Sequence, residues 1–266
     1  MRFALGVEYD GSGFCGWQRQ PDQASVQGAL ESALGGIAGE PVTVAAAGRT
    51  DRGVHASGQV VHFDTQASRP LTAWVRGANA LLPPGIAVLW AHPVPDSFHA
   101  RFCAVRRSYQ YLLLNHPVRN ALMQGKWGWF HQPLDLALMR EAARMLLGTH
   151  DFSAFRAAEC QAKSPVKTLT QADIAANGPL LQFSFTADAF LQHMVRNMVG
   201  ALVAVGAGRL EPAGLGALLE SRDRTRGAPT FPPDGLYLTG VGYADDWQLP
   251  APATRYHGAF MQARMD

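Results

Sequence analysis

The sequence predicts an α/β (α+β) fold of two halves, each running β-α-β-β-α-β. Three observations predict it. Short runs rich in β-branched residues read as strands, four segments carry apolar residues at helical spacing, and the order of these elements is the same in both halves.

In the first half, Arg2–Asp10 reads as a strand. Ser25 is a helix N-cap, followed by an apolar face of Val26, Leu30, Ala33, Leu34 and Ile37 that closes at the glycines beyond it. Val42–Ala47 and Gln59–Thr65 are strands. Leu71–Leu82 has helical spacing through Leu71, Trp74, Val75, Ala78 and Leu81 and stops at Pro83-Pro84. Ile86–Val94 is the closing strand.

The second half opens with a strand over Val105–Asn115. Asp135 caps a helix with Leu136, Met139, Ala143 and Leu146 on one face, ended by Gly148. Val166–Ala176 and Leu180–Asp188 form a hairpin around Asn177-Gly178. Leu191–Val205 is a strongly apolar helix and Leu236–Tyr243 the last strand. This is the split βαβ order of ferredoxin-like folds, with antiparallel or mixed sheets. Residues 1–102 and 103–266 are the expected halves, and a cleft between two such halves is the expected binding site.

The chain has 266 residues, 47% of them hydrophobic and 17% charged, with a formal net charge of +2. A polyanionic partner must therefore meet a local patch. Lysine occurs only at Lys126, Lys163 and Lys167, so arginine supplies the positive charge, in a form suited to bidentate phosphate contacts and stacking. Glu8 interrupts the N-terminus before an apolar signal core can form, and the apolar run Met198–Gly206 is too short to cross a bilayer. Cys15, Cys103 and Cys160 are odd in number and widely spaced, against a disulfide framework and against zinc. A soluble cytoplasmic protein with no metal, no cofactor and no membrane partner is expected.

Gly11-Ser12-Gly13-Phe14-Cys15-Gly16 spells GxGxxG after a strand. A dinucleotide-binding turn opens straight into a helix whose N-terminus holds the pyrophosphate, whereas here the helix waits until Ser25. No nucleotide cofactor is expected.

Ala47-Gly48-Arg49-Thr50-Asp51-Arg52-Gly53-Val54-His55-Ala56 lies between two strands, and its one carboxylate is bracketed by Arg49 and Arg52. Neighbouring cations favour an ionised, nucleophilic Asp51 and also suit phosphates. A surface turn with ordinary ion pairs fits these residues too. On the Leu191–Val205 helix, His193, Arg196 and Gly200 share a face by spacing, with Arg196 the lone charge and Gly200 open to close backbone approach. A snorkelling arginine beside a core histidine is the plainer reading. Arg106-Arg107-Ser108-Tyr109-Gln110-Tyr111 places Tyr109 and Tyr111 on one strand face beside basic groups, which suits base stacking or an ordinary amphipathic strand.

Together these stretches resemble the tRNA pseudouridine synthase A family. YDGSGFCGWQRQ, SVQGALESAL, AGRTDRGVHASGQV, FHARFCAVRRSYQY, DFSAFRAAEC, FLQHMVRNMVGAL and GLYLTGVGY follow the family's order and spacing across both halves. The resemblance implies that Asp51 is the catalytic aspartate, that Arg196 pairs with it, and that Tyr109 stacks on the target uracil. It implies that Arg49 holds the flipped nucleotide, with Arg52, His55 and Arg107 as further substrate-binding residues and Leu236 and Leu238 lining the pocket. It further implies action on uridines 38, 39 and 40 of the tRNA anticodon stem-loop by a homodimer. Ser108 stands where the family usually has arginine, and Phe231 where it usually has a small alanine. Moving the uracil bond from N1 to C5 is redox-neutral and needs no cofactor. Two rivals fit parts of the pattern. An N-glycoside hydrolase generally needs two carboxylates, where this loop offers one. The other is a non-catalytic RNA-binding module.

Overall fold

The first strand, β1 (Arg2–Tyr9), is buried along almost its whole length. The reason is its place between two antiparallel neighbours, β3 (His55–Asp64) and β4 (Ile86–Val94). A short β2 (Val44–Ala46) pairs antiparallel with the end of β3. In the computed structural model, which describes residues 1–250, these strands belong to a compact unit of Met1–Arg106 together with residues 237–250. Helix α1 (Val26–Ala38) starts as expected, with the Ser25 hydroxyl accepting from the Gly28 amide at 3.2 Å, and ends on Gly39 at φ 75°. Glu31, buried on α1, ties the helix to β2: its Oε1 accepts from the Val44 amide at 3.1 Å and from Gln27 at 2.9 Å.

The expected helix over Leu71–Leu82 is interrupted. It runs from Leu71 to Leu81, but Ala73–Gly77 forms a wide π turn between the α-helical Leu71–Thr72 and α2 (Ala78–Leu81). Trp74, fully buried in that turn, packs on Phe3 and Phe63 at 5.6 and 5.1 Å. Asn79 on α2 bonds both the amide and the carbonyl of Val88.

The second unit is Arg107–Leu236. Its sheet has β5 (Ala104–Asn115) against β9 (Leu180–Ala187), β9 against β8 (Val166–Asn177), and β8 against β7 (Gly148–Asp151), all antiparallel. β6 (Gly128–Phe130) runs parallel to the end of β5. Helix α3 (Leu136–Arg144) is capped by Asp135, which accepts from Ala137 and Leu138. Helix α4 (Met194–Gly206) is shorter than expected, because His193 adopts φ 62° and makes the chain turn before the helix begins. His193 therefore does not share the helical face of Arg196 and Gly200. β6, β7 and α5 (Pro212–Ser221) have weak sequence signals and lie outside the expected order.

The last strand, β10 (Leu236–Tyr243), has the expected bounds, and its pairing is informative. Tyr237 and Leu238 run parallel to His55 and Ala56 of β3, so from Tyr237 on the strand completes the first unit. The fold is thus the expected mixed α/β class, with mostly antiparallel strands.

One buried titratable group gives the first unit a pH dependence. His62 on β3 accepts the Ala100 amide through Nδ1 at 3.2 Å and meets the His99 ring edge-on at 4.6 Å. Burial, then the neighbouring His99 and Arg2 charges, lower its pKa from 6.5 to about 4. Between those values the unfolded chain binds a proton that the folded chain refuses, so stability is lost as pH falls from 6.5 toward 4. At about 1.4 kcal/mol per unit, the loss is on the order of 3 kcal/mol. Denaturant unfolding at pH 7 and pH 4.5 should show this slope in the wild type and a flatter one in His62→Asn. Equal slopes would contradict the assignment.

Candidate active site on the aspartate loop and the arginine helix

Asp51 sits half-buried in the loop between β2 and β3, with Arg49 and Arg52 exposed on either side. The loop is held from below by side chains of β1 and β3. Fully buried Gln59 donates to the Gly48 carbonyl at 2.7 Å. The Tyr9 hydroxyl pairs with Thr50 Oγ1 at 2.8 Å, and both residues are buried. Burial pushes the Tyr9 pKa up to about 12, which keeps the phenol neutral. After Asp51 the chain turns sharply. The Val54 amide donates to the Asp51 carbonyl at 3.1 Å, with Gly53 at φ 79°.

The glycine-rich segment closes the loop from its other side. Trp17 donates its amide to the Thr50 carbonyl at 3.0 Å, and Gly11 donates its amide to His55 Nδ1 at 3.0 Å. A Cβ on Gly11 would run into the Val54 carbonyl. One on Gly16, which is at φ 100°, would come within 3.0 Å of the Thr50 carbonyl and 3.1 Å of the Arg52 amide. These glycines are there to let two backbones touch.

The same contacts rule out phosphate binding at this GxGxxG. The first amides of α1 are already taken, Val26 by the Gly16 carbonyl and Gln27 by the Trp17 carbonyl. Among the described residues, no group of three His, Cys, Asp or Glu side chains is placed to hold a metal ion. No helix among them is long and apolar enough to cross a membrane.

His55 faces inward, 1% exposed, with its ring stacked on Tyr237 at 4.6 Å. Leu238 is likewise part of the first unit's core, and Leu236 is buried in its own unit. These three residues build the floor of their units.

In the second unit, Tyr109 on β5 stands opposite Phe185 of β9, and its half-buried ring meets the edge of Phe190 at 5.0 Å. Tyr111, two residues on, is fully buried and donates to the Pro232 carbonyl. Arg107 donates to the Asp188 carbonyl at 2.9 Å, and Ser108 pairs with Thr186 at 2.9 Å. Ser108, the departure from the usual arginine, is thereby part of a strand-to-strand hydroxyl pair.

Arg196 on α4 is anchored through its Nε, which donates to the Phe231 carbonyl at 2.8 Å. The Phe231 amide returns a bond to the Arg196 carbonyl at 3.3 Å. The Phe231 ring, half-buried, packs edge-on against Tyr111 at 5.6 Å, so the large side chain in place of alanine covers that core tyrosine. Asn197 fixes the same loop: it donates to the Phe155 carbonyl and accepts from Thr230 and Arg224. Gly200 serves close approach, since a Cβ there would lie 2.6 Å from the Pro229 carbonyl.

Sequence reasoning missed Tyr9, Trp17, Thr50 and Gln59 as supports. The available signal was the failed GxGxxG, whose glycines needed another purpose.

Comparison with known proteins gives one answer over nearly the whole chain. The sequence model of a family described as tRNA pseudouridine synthase matches residues 6–103 and 142–244. A protein of Methylobacillus flagellatus named tRNA pseudouridine synthase A is 64% identical over 250 residues, covering 94% of this chain and 96% of that protein. One of Chromobacterium violaceum with the same name is 65% identical over 252 residues, at the same coverages. Another, from Thiobacillus denitrificans, is 59% identical and covers 96% of this chain and 98% of its own.

The contact at Gly200 is testable by stability. Gly200→Ala must push the 229–231 loop off α4, and overpacking of this kind costs about 1–3 kcal/mol. A control, Gly39→Ala, meets no neighbouring atom and has only its left-handed φ against it. Chemical denaturation should find Gly200→Ala destabilised by that amount. A stability equal to wild type would mean that the loop does not rest on the helix.

Proposed function

The chain belongs to the tRNA pseudouridine synthase family, and on that footing we propose that Asp51 is the nucleophile with which it isomerises uridine to pseudouridine in tRNA. The observation that carries this reading is the setting of Asp51: a single carboxylate on a loop fixed on both sides, between two exposed arginines. The family resemblance supplies the rest. Arg196 orients Asp51 and keeps it charged, with its Nε anchored on the Phe231 carbonyl. Tyr109 stacks on the extruded uracil. Arg49, Arg52 and Arg107 take the nucleotide and backbone phosphates, while His55, Leu236 and Leu238 back the site from within their units. The substrate uridines are those at 38, 39 and 40 of the anticodon stem-loop, the working form is a homodimer, and the compartment is the cytoplasm.

The chemistry follows from the bonds that change. The N1–C1′ bond breaks, the uracil turns, C5 joins C1′, and the C5 proton leaves. Nothing is oxidised and no group is lost, so the chain must supply a nucleophile or base at the sugar, a stacking surface and electrostatic support. Drawing the base out of its stack costs a few kcal/mol, which stacking on an aromatic ring offsets.

Tritium release from tRNA carrying [5-³H]uridine tests the reading, because only C5–C1′ bond formation displaces that hydrogen. The wild type should release tritium without freeing uracil. Asp51→Asn keeps the shape of the side chain and removes its charge; it should bind tRNA yet lose several orders of magnitude in rate. Free uracil from the wild type would point to a hydrolase. Binding without any release would point to an RNA-binding module, and near-normal release by Asp51→Asn would remove Asp51 from the chemistry.

A further inference from the structure

We infer that Tyr9 is a positioning residue for the reaction, acting on Asp51 through the hydroxyl of Thr50. The inference rests on Asp51 being the nucleophile. Thr50 is the residue immediately before Asp51, and it is fixed at two points. Its carbonyl accepts the Trp17 amide at 3.0 Å, and its hydroxyl meets the Tyr9 hydroxyl at 2.8 Å. On the far side of Asp51, the Val54 amide holds the Asp51 carbonyl at 3.1 Å. The backbone is thus held before and after the aspartate, and only side-chain torsions remain to place its carboxylate.

Of these restraints, Tyr9–Thr50 is the one made wholly by side chains. Tyr9, Thr50 and Gln59 come from three different segments, and each is more than nine-tenths buried. Gln59 Nε2 donates to the Gly48 carbonyl at 2.7 Å and lies 3.4 Å from the Tyr9 oxygen. In the Tyr9–Thr50 pair either hydroxyl can donate to the other. Burial keeps Tyr9 protonated far above neutral pH, so the pair stays a neutral hydroxyl–hydroxyl bond. The Tyr9 ring is held in turn against Trp17 at 5.9 Å, which places the glycine segment and the phenol in one packed unit under the loop. A phenylalanine here would fill the same space and keep the ring contact. What it would lose is the hydroxyl that fixes Thr50.

Such a residue should tell on the chemical step and leave substrate binding alone. Tyr9 lies beneath the loop and 4% exposed, so tRNA does not reach it. A displacement of about 1 Å in a reacting group costs roughly a hundredfold in rate when geometry is the whole contribution. Losing one of several restraints should cost less, about tenfold.

The experiment is a double-mutant cycle on tRNA isomerisation, read as single-turnover rate and tRNA Kd, with Asp51→Asn run alongside. Tyr9→Phe and Thr50→Val should each lower the rate about tenfold with Kd within twofold of wild type. The double variant should fall no further than either single, since both remove the same bond. Thr50→Ser, which keeps the hydroxyl, should recover most of the rate. A Tyr9→Phe rate within twofold of wild type overturns the inference. So do losses that multiply in the double variant, or a Kd that weakens in step with the rate. Should Tyr9→Phe melt below the assay temperature, Thr50→Val against Thr50→Ser decides, and equal rates for that pair overturn it. Near-normal release by Asp51→Asn would instead sink the assignment of the nucleophile, while a dead Asp51→Asn beside an unaffected Tyr9→Phe would sink the positioning role alone.

Discussion

Backbone pressed on backbone is the constraint from which the site follows. The segment Gly11–Trp17 lies so close against the Thr50–His55 loop that side chains at Gly11 and Gly16 would collide with it. Closeness lets amides on one segment satisfy acceptors on the other, Trp17 to Thr50 and Gly11 to His55. A loop with its polar groups met in this way loses little further entropy when a substrate arrives. It also keeps a carboxylate where the chemistry needs one, without asking the substrate to organise it. Glycine is costly in conformational entropy, and the cost is accepted here at positions where no other residue fits.

The second unit reaches the same end by different means. Arg196 is fixed by a two-way exchange with Phe231, whose carbonyl takes Nε and whose amide returns to the Arg196 carbonyl. Asn197, one residue on, bonds Phe155, Thr230 and Arg224, so the 224–231 stretch and α4 form one polar-locked surface. A buried amide with all these partners is stable only as a complete set, because removing one strands the others.

Much of this was legible in the sequence, for reasons that differ by element. Ser25 and Asp135 announced their helices because an N-cap satisfies orphan amides locally, with no help from distant parts of the chain. Strand β10 had the expected bounds, yet its pairing with β3 rests on contacts between residues nearly two hundred positions apart, which no local pattern carries. The helix after Leu71 carries a π turn around the buried Trp74, which apolar spacing does not report. His193 was misread as part of a helical face because apolar spacing does not report a left-handed φ. In the site, Asp51 and its flanking arginines stood out by charge, and the family resemblance gave them roles. Tyr9, Thr50 and Gln59 did not stand out, since hydroxyls and amides beneath a loop carry neither period nor charge. Phe231 looked like a defect in the pattern. In the fold its half-buried ring packs on Tyr111 and its backbone holds the arginine.

The central claim is that the aspartate loop is preformed, held in place before any substrate binds. Amide hydrogen exchange of the free protein measures this most directly, because a bonded amide exchanges only when its partner lets go. The amides of Gly11, Trp17 and Val54 should exchange as slowly as those of the β1–β3 ladder, such as Leu5 and Val61. Exchange of these three at the rate of an open turn, with the ladder still protected, would show a loop that assembles only on the substrate and would contradict the account.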